Sequence, residues 1–240
     1  MLPLILCIIF MCFGAVSLTL FIIEKIKKYS VKETLIKTIT SCFFVAVSAV
    51  SLYAKGQHFL TVFVTLGLFV GLLGDIFLDL KYVFKEHDKE FTYAGFIAFA
   101  IGHAFYISGM YLEFFKEQNV LYIIIPLVVG TLISVINLLI EKLMKLKYGS
   151  LKVIVFIYGI LLFSMTACSL SLCIMTAFKN VTLIMMFVGG LLFTISDLIL
   201  SGTYFGVGKE RPIDISINGI LYYIAQFSIA FSIYFIGTYF

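Results

Sequence analysis

Apolar residues in this sequence come in long unbroken runs, not in the alternating or one-face patterns of half-buried strands and helices. Eight runs fall at about 2–23, 35–54, 59–80, 92–113, 120–140, 151–177, 181–204 and 214–238. Each has about the 20 residues that a helix needs to cross a ~30 Å hydrocarbon core, where a helix satisfies its own backbone polar groups. The pattern therefore predicts an all-α, polytopic membrane bundle of eight transmembrane helices, with residues 1–240 as one integral membrane domain. The sixth run is longer than a span requires and is expected to tilt or extend past the interface. The first run, Leu2 to Ile23, has no basic leader and no A-x-A site. It is expected to be a retained helix, not a signal peptide.

Composition strengthens this reading. Hydrophobic residues make up 62% of the chain and charged ones 12%, with a mean hydropathy of +1.13, whereas soluble domains carry about 25% charged residues. The expected solvent is the lipid bilayer. Charge then sets orientation. The odd-numbered loops hold Lys25, Lys27, Lys28, Lys32, Lys37, Lys81, Lys85, Lys89, Lys142, Lys145, Lys147, Lys152, Lys209 and Arg211, and the even-numbered ones only Lys55, Lys116 and Lys179. The positive-inside rule makes the odd loops cytoplasmic and puts both termini on the non-cytoplasmic side. Compact loops and the lack of a targeting extension suggest a bacterial cytoplasmic membrane as the expected location, with a eukaryotic internal membrane as the alternative. The net charge of +4 reads as topology, so no nucleic-acid partner is expected, and no protein partner is implied.

Cys7, Cys12, Cys42, Cys168 and Cys173 all lie in apolar runs, which suggests small buried hydrophobes and neither disulfides nor zinc ligands. No HExxH or G-x-S-x-G pattern occurs. No metal or cofactor is expected.

A charge within a span costs roughly 2.5–3.5 kcal/mol on insertion scales, so the acids inside the runs carry the most information. They are Asp75, Asp79 and Asp197, and no Lys or Arg is placed deep in a run to neutralise them. Asp75 and Asp197 lie about 15 and 16 residues into the third and seventh helices, which puts both ~22–24 Å from the outer end at 1.5 Å per residue. Equal depth is what a shared site needs. Each acid continues a stripe of small or polar residues, Gly67-Gly71-Asp75-Asp79 and Gly190-Thr194-Asp197-Ser201. Such stripes bring helices close together and turn the acids inward. The bland alternative is helix glue with locally bonded acids. Asp79, nearer the cytoplasmic interface, reads as a solvated helix end. His103, with Tyr106 one turn on, sits mid-way along the fourth helix, where a lone His is more often a hydrogen-bonded interior residue than a catalyst. Asn218, Tyr222 and Gln226 make a polar ridge on the eighth helix that is either inter-helix glue or a cavity wall. An offset of about 122 residues superposes Asp75 on Asp197 and the fourth helix on the eighth, a faint sign of a parallel duplication.

Four short motifs, Gly74-Asp75-x-x-Leu78, Gly102-His103-x-x-Tyr106, Ser196-Asp197-Leu198 and Tyr222-Tyr223-x-Ala225-Gln226, resemble those of the YhhN family of lysoplasmalogenase-like membrane proteins. Their order, the eight-span layout and the length agree as well. The resemblance implies a hydrolase that cleaves the vinyl ether bond of a lysoplasmalogen to a fatty aldehyde and a glycerophospho-ethanolamine or -choline. The family's two aspartates map onto Asp75 and Asp197. Asp79 matches no motif. His103, Tyr106, Tyr222, Tyr223 and Gln226 are then expected to bind substrate or the acids. Lys81, Lys209 or Arg211 would meet the lysophospholipid phosphate. Vinyl ether hydrolysis needs one protonated acid and one carboxylate, the division of labour of glycosidases, and two desolvated carboxyls facing one another titrate apart. Two rivals stand beside this reading. A proton-coupled transporter would use the same intramembrane aspartates as a relay, and a non-enzymatic scaffold would need them only for packing.

Overall fold

The computed structural model describes residues 1–27, 31–115, 119–206 and 211–239. Eight helices account for nearly all of them: α1 (Leu2–Lys27), α2 (Val31–Lys55), α3 (Phe59–Val83), α4 (Asp88–Met110), α5 (Leu121–Leu139), α6 (Lys152–Met175), α7 (Val181–Phe205) and α8 (Pro212–Ser232). All eight are long and apolar enough to cross a membrane. A π-helical turn, Tyr111–Phe115, prolongs α4. The ends are set by local chemistry. Asn180 caps α7 by accepting the Leu183 amide at 3.2 Å, and Pro212, which has no amide hydrogen to leave unpaired, opens α8.

Neighbouring helices run antiparallel, and both chain ends lie at one end of the bundle. There Cys7 Sγ lies 3.6 Å from Ser51 Oγ at the end of α2, and Tyr239 pairs with Asn180. Small residues set the closest approach. A Cβ added at Gly102 of α4 would lie 3.0 Å from the Gly67 carbonyl oxygen of α3, so only glycine lets these backbones touch. The second predicted stripe works the same way, since Gly190 faces Thr166 of α6 and Thr194 Oγ1 meets Thr166 Oγ1 at 3.2 Å.

The faint repeat has a counterpart in the packing. Besides its sequence neighbours, α2 packs on α8 and α6 packs on α4, which is the same relation after the four-helix offset. By contrast, α5 leans almost wholly on α6.

One boundary differs in a way that matters. The second helix begins at Val31, four residues before the predicted start at 35. Lys37, expected in a cytoplasmic loop, lies almost two turns inside the helix and is buried. The expectation that no basic residue neutralises the intramembrane acids is therefore overturned. Lys28, Lys116 and Lys209 lie outside the described residues.

Candidate functional site

The site grows from α3. The Gly67-Gly71-Asp75-Asp79 stripe turns both acids into the bundle, where Asp75 and Asp79 keep only 2% and 1% of their surface exposed. Asp79 is thus not the solvated helix end that its position suggested. Its partner explains why. Lys37 Nζ on α2 lies 2.9 Å from Asp79 Oδ1 and 3.3 Å from Asp75 Oδ1. A buried charge survives only when paired and hydrogen-bonded, and here one ammonium serves two carboxylates.

The other oxygen of Asp75 is held by hydroxyls from α2 and α8. Ser41 Oγ donates at 2.6 Å from α2 and Tyr222 Oη at 2.7 Å from α8. Gln226 Nε2, one turn along α8, donates to Tyr222 Oη at 2.9 Å. Tyr223 Oη meets Ser41 Oγ at 3.0 Å and donates to the Lys37 carbonyl at 3.2 Å. The predicted ridge on α8 is therefore glue and cavity wall together, because Asn218 also bonds the Ser196 carbonyl at 2.8 Å while its side chain lines the cavity.

Asp197, on α7, has different surroundings. It is half-buried and accepts a hydrogen bond from the Tyr158 hydroxyl of α6. Among the described residues it has no basic partner. Lys37 and Tyr158 are 121 positions apart (158 − 37), one short of the Asp75-to-Asp197 offset (197 − 75 = 122). At that offset Lys37 corresponds to Gly159, so the two halves meet their acids from neighbouring rather than equivalent positions of α2 and α6, one supplying a cation and the other a neutral hydroxyl.

Asp75 and Asp197 line a single small cavity of about 40 Å³, together with Lys37, Tyr158, Tyr222 and Tyr223. Phe96, Phe99 and Phe193 form its apolar wall. Phe99 meets Tyr222 edge-on with centroids 6.2 Å apart, and Phe193 does so at 5.3 Å. Three predicted site residues stand behind this wall. Gln226 reaches the cavity only through Tyr222. Tyr106 is buried against Gly67. His103 is enclosed by the rings of Phe193, Tyr158 and Tyr106 at 4.9, 5.6 and 5.7 Å, and neither ring nitrogen has a hydrogen-bond partner among the described residues. Arg211, proposed for the phosphate, is engaged instead with Asp214 at 2.7 and 2.9 Å, and that carboxylate raises its already high pKa.

Sequence reasoning missed Lys37, Ser41 and Tyr158. The first two had a readable signal, since Glu33, Lys37 and Ser41 recur at i+4 just as the stripe on α3 does. Tyr158 had none, being one aromatic in a long apolar run.

Among known proteins, the model of the YhhN family matches residues 32–233, which takes in nearly all of α2 through α8 and every residue of the cavity except those from α1. No curated protein and no solved structure gives a significant match.

Proposed function

The chain belongs to the YhhN family, and from that premise we propose that it is a membrane-embedded hydrolase cleaving the vinyl ether bond of lysoplasmalogens, with Asp197 as proton donor and Asp75 as a permanent carboxylate. The observation that supports this division is the inequality of the two acids within one cavity. Asp75 accepts two hydroxyl hydrogen bonds and faces an ammonium, all of which favour its ionised form. Asp197 has one neutral donor, so protonation is its easier route to burial. Lys37 does not cancel Asp75, because it sits closer to Asp79 and the three groups together carry one net negative charge.

The chemistry follows from these roles. Asp197 gives its proton to the β-carbon of the enol ether, and the π pair forms the new C–H bond. The α-carbon becomes an oxocarbenium ion, stabilised by the fixed negative charge of Asp75. Water adds to that carbon and returns a proton to Asp197, giving a hemiacetal. The hemiacetal then breaks its C–O bond to the glycerol oxygen. Its hydroxyl proton passes through Asp197 to the departing oxygen, and the products are a fatty aldehyde and a glycerophospho-alcohol. Asp197 ends protonated as it began. No redox partner enters the balance.

The test is aldehyde release from an ethanolamine lysoplasmalogen by purified protein in detergent with chelator present, wild type beside Asp75→Asn and Asp197→Asn. Turnover by the wild type and loss of at least a hundredfold in both variants are expected. Absence of turnover in well-folded wild type would sink the hydrolase reading and favour transport, which does no chemistry in detergent.

A further inference from the structure

Asp197 borders more than the central cavity. A second, narrow space of about 30 Å³ adjoins the central cavity, sharing Tyr158, Asp197 and Tyr204 with it and adding Asn137, Thr194 and Leu198 to its lining. Its walls are shared with two spaces of opposite chemistry. Toward the membrane face it shares Asn137, Phe163, Thr194 and Leu198 with an apolar groove of about 470 Å³ between α5, α6 and α7. Toward the helix ends it shares Tyr204 and Phe205 with a polar pocket of about 340 Å³. That pocket is lined by Lys81, Lys89 and Lys147 against a single acid, Asp88. Lys81 Nζ stands 3.3 Å over the Tyr204 ring, so its charge sits at the junction.

We infer that these three spaces form one binding track for a single-chain phospholipid, with the hydrocarbon chain in the α5–α6–α7 groove and the phosphate among Lys81, Lys89 and Lys147. The bond joining chain to glycerol then lies beside Asp197 and Tyr158. The inference rests on the hydrolase reading only for which bond is cut.

Two arguments carry it beyond a lipid-facing groove. The first is adjacency, because Thr194 and Leu198 line both the groove and the narrow space that Asp197 borders. The second is charge complementarity at matched spacing. Asp197 and Tyr204 are seven residues apart on one helix, about 10 Å at 1.5 Å per residue, which suits the glycerol and phosphate that follow the chain. The groove runs along α7 from Phe187 to Leu198, about 16 Å, which sets an upper length for a chain held in full contact. α5, which rests almost wholly on α6, forms one wall of the groove, and none of the acids lies on it.

A saturated 1-O-alkyl lysophosphatidylethanolamine is a probe that cannot be hydrolysed at an enol ether. Equilibrium binding of this radiolabelled lipid to the purified full-length protein in detergent is compared with binding of the same alkylglycerol lacking phosphate. The wild type is expected to prefer the phospholipid at least tenfold. A Lys81→Gln/Lys147→Gln double variant loses that preference, and Lys81→Arg/Lys147→Arg keeps it. Leu191→Trp, placed in the groove at an exposed position, shifts preference toward shorter chains, and Leu191→Ala does not. No binding by the wild type, or binding indifferent to all these changes, overturns the track. Binding that follows the pattern without aldehyde release from the vinyl ether lipid leaves the track standing and removes the hydrolase reading instead.

Discussion

Lys37 Nζ and Asp79 Oδ1 lie 2.9 Å apart in the interior of the bundle, both nearly sealed from solvent. The pair joins α2 to α3, and its ammonium also reaches Asp75. Asp79 thereby does structural work for a site in which it takes no chemical part. It anchors the cation that would otherwise belong wholly to Asp75, and so leaves Asp75 with its negative charge.

Lys37→Met tests this arrangement through stability. Removing the only described cation between two buried carboxylates is expected to destabilise the protein by about 3–5 kcal/mol. Lys37→Met/Asp79→Leu removes the pair together, and most of the loss should return. Thermal unfolding in detergent reads both. A single variant as stable as the wild type would show that the pair carries no weight.

Tyr158→Phe separates the roles of the two acids. The hydroxyl bonds Asp197 most strongly once that group has given up its proton, so its value lies in the transition state. A hydrogen bond to a charged group contributes about 1.5–3 kcal/mol, so kcat should fall roughly tenfold to a hundredfold with KM little changed. A rise in KM at constant kcat would instead make Tyr158 a substrate-binding residue.

How much of this was legible in the sequence depended on what the membrane enforces. All eight helices were readable because lipid leaves no alternative for apolar runs of this length, and Asp75 and Asp197 stood out because charges within spans are rare. The same rule misplaced Lys37. A lysine near the end of an apolar run reads as a loop residue, and the carboxylate that keeps it inside lies on another helix, 42 positions away. Asp79 was misjudged with it, since each explains the other's burial. His103 was conspicuous as a deep polar residue, yet the fold surrounds it with rings and sets it behind the cavity wall. Tyr158 became recognisable only when α6 was placed against α7.

Ser41→Ala and Tyr222→Phe each remove one donor from the same oxygen of Asp75. Because the two hydroxyls support one charge, their effects are expected to interact. Each single variant should lower kcat/KM by about tenfold, using about 1.5 kcal/mol for a bond to a charged acceptor. The double variant should depart from simple additivity by at least 0.5 kcal/mol. Additive losses would mean that the hydroxyls act on separate features, and that Asp75 is not the common element.

The contact of α3 with α4 is the last point at which sequence, packing and site meet. Asp75 lies two turns beyond Gly67 on α3. A Cβ at Gly67 would come within 2.4 Å of the Tyr106 ring and 2.9 Å of the Gly102 carbonyl oxygen. A ring can rotate away, but a backbone carbonyl in a packed helix cannot, so Gly67→Ala must push the helices apart. Overpacking of this kind costs typically 1–3 kcal/mol. A Cβ at the neighbouring Gly71 would meet the Gln226 amide at 3.5 Å and the Phe99 ring at 3.8 Å, both ordinary contacts, so Gly71→Ala is expected to fold with near-native stability. Thermal unfolding of both variants in the same detergent gives the comparison. Equal effects at the two glycines would show that α3 and α4 are held apart by something other than the close approach at Gly67 and Gly102.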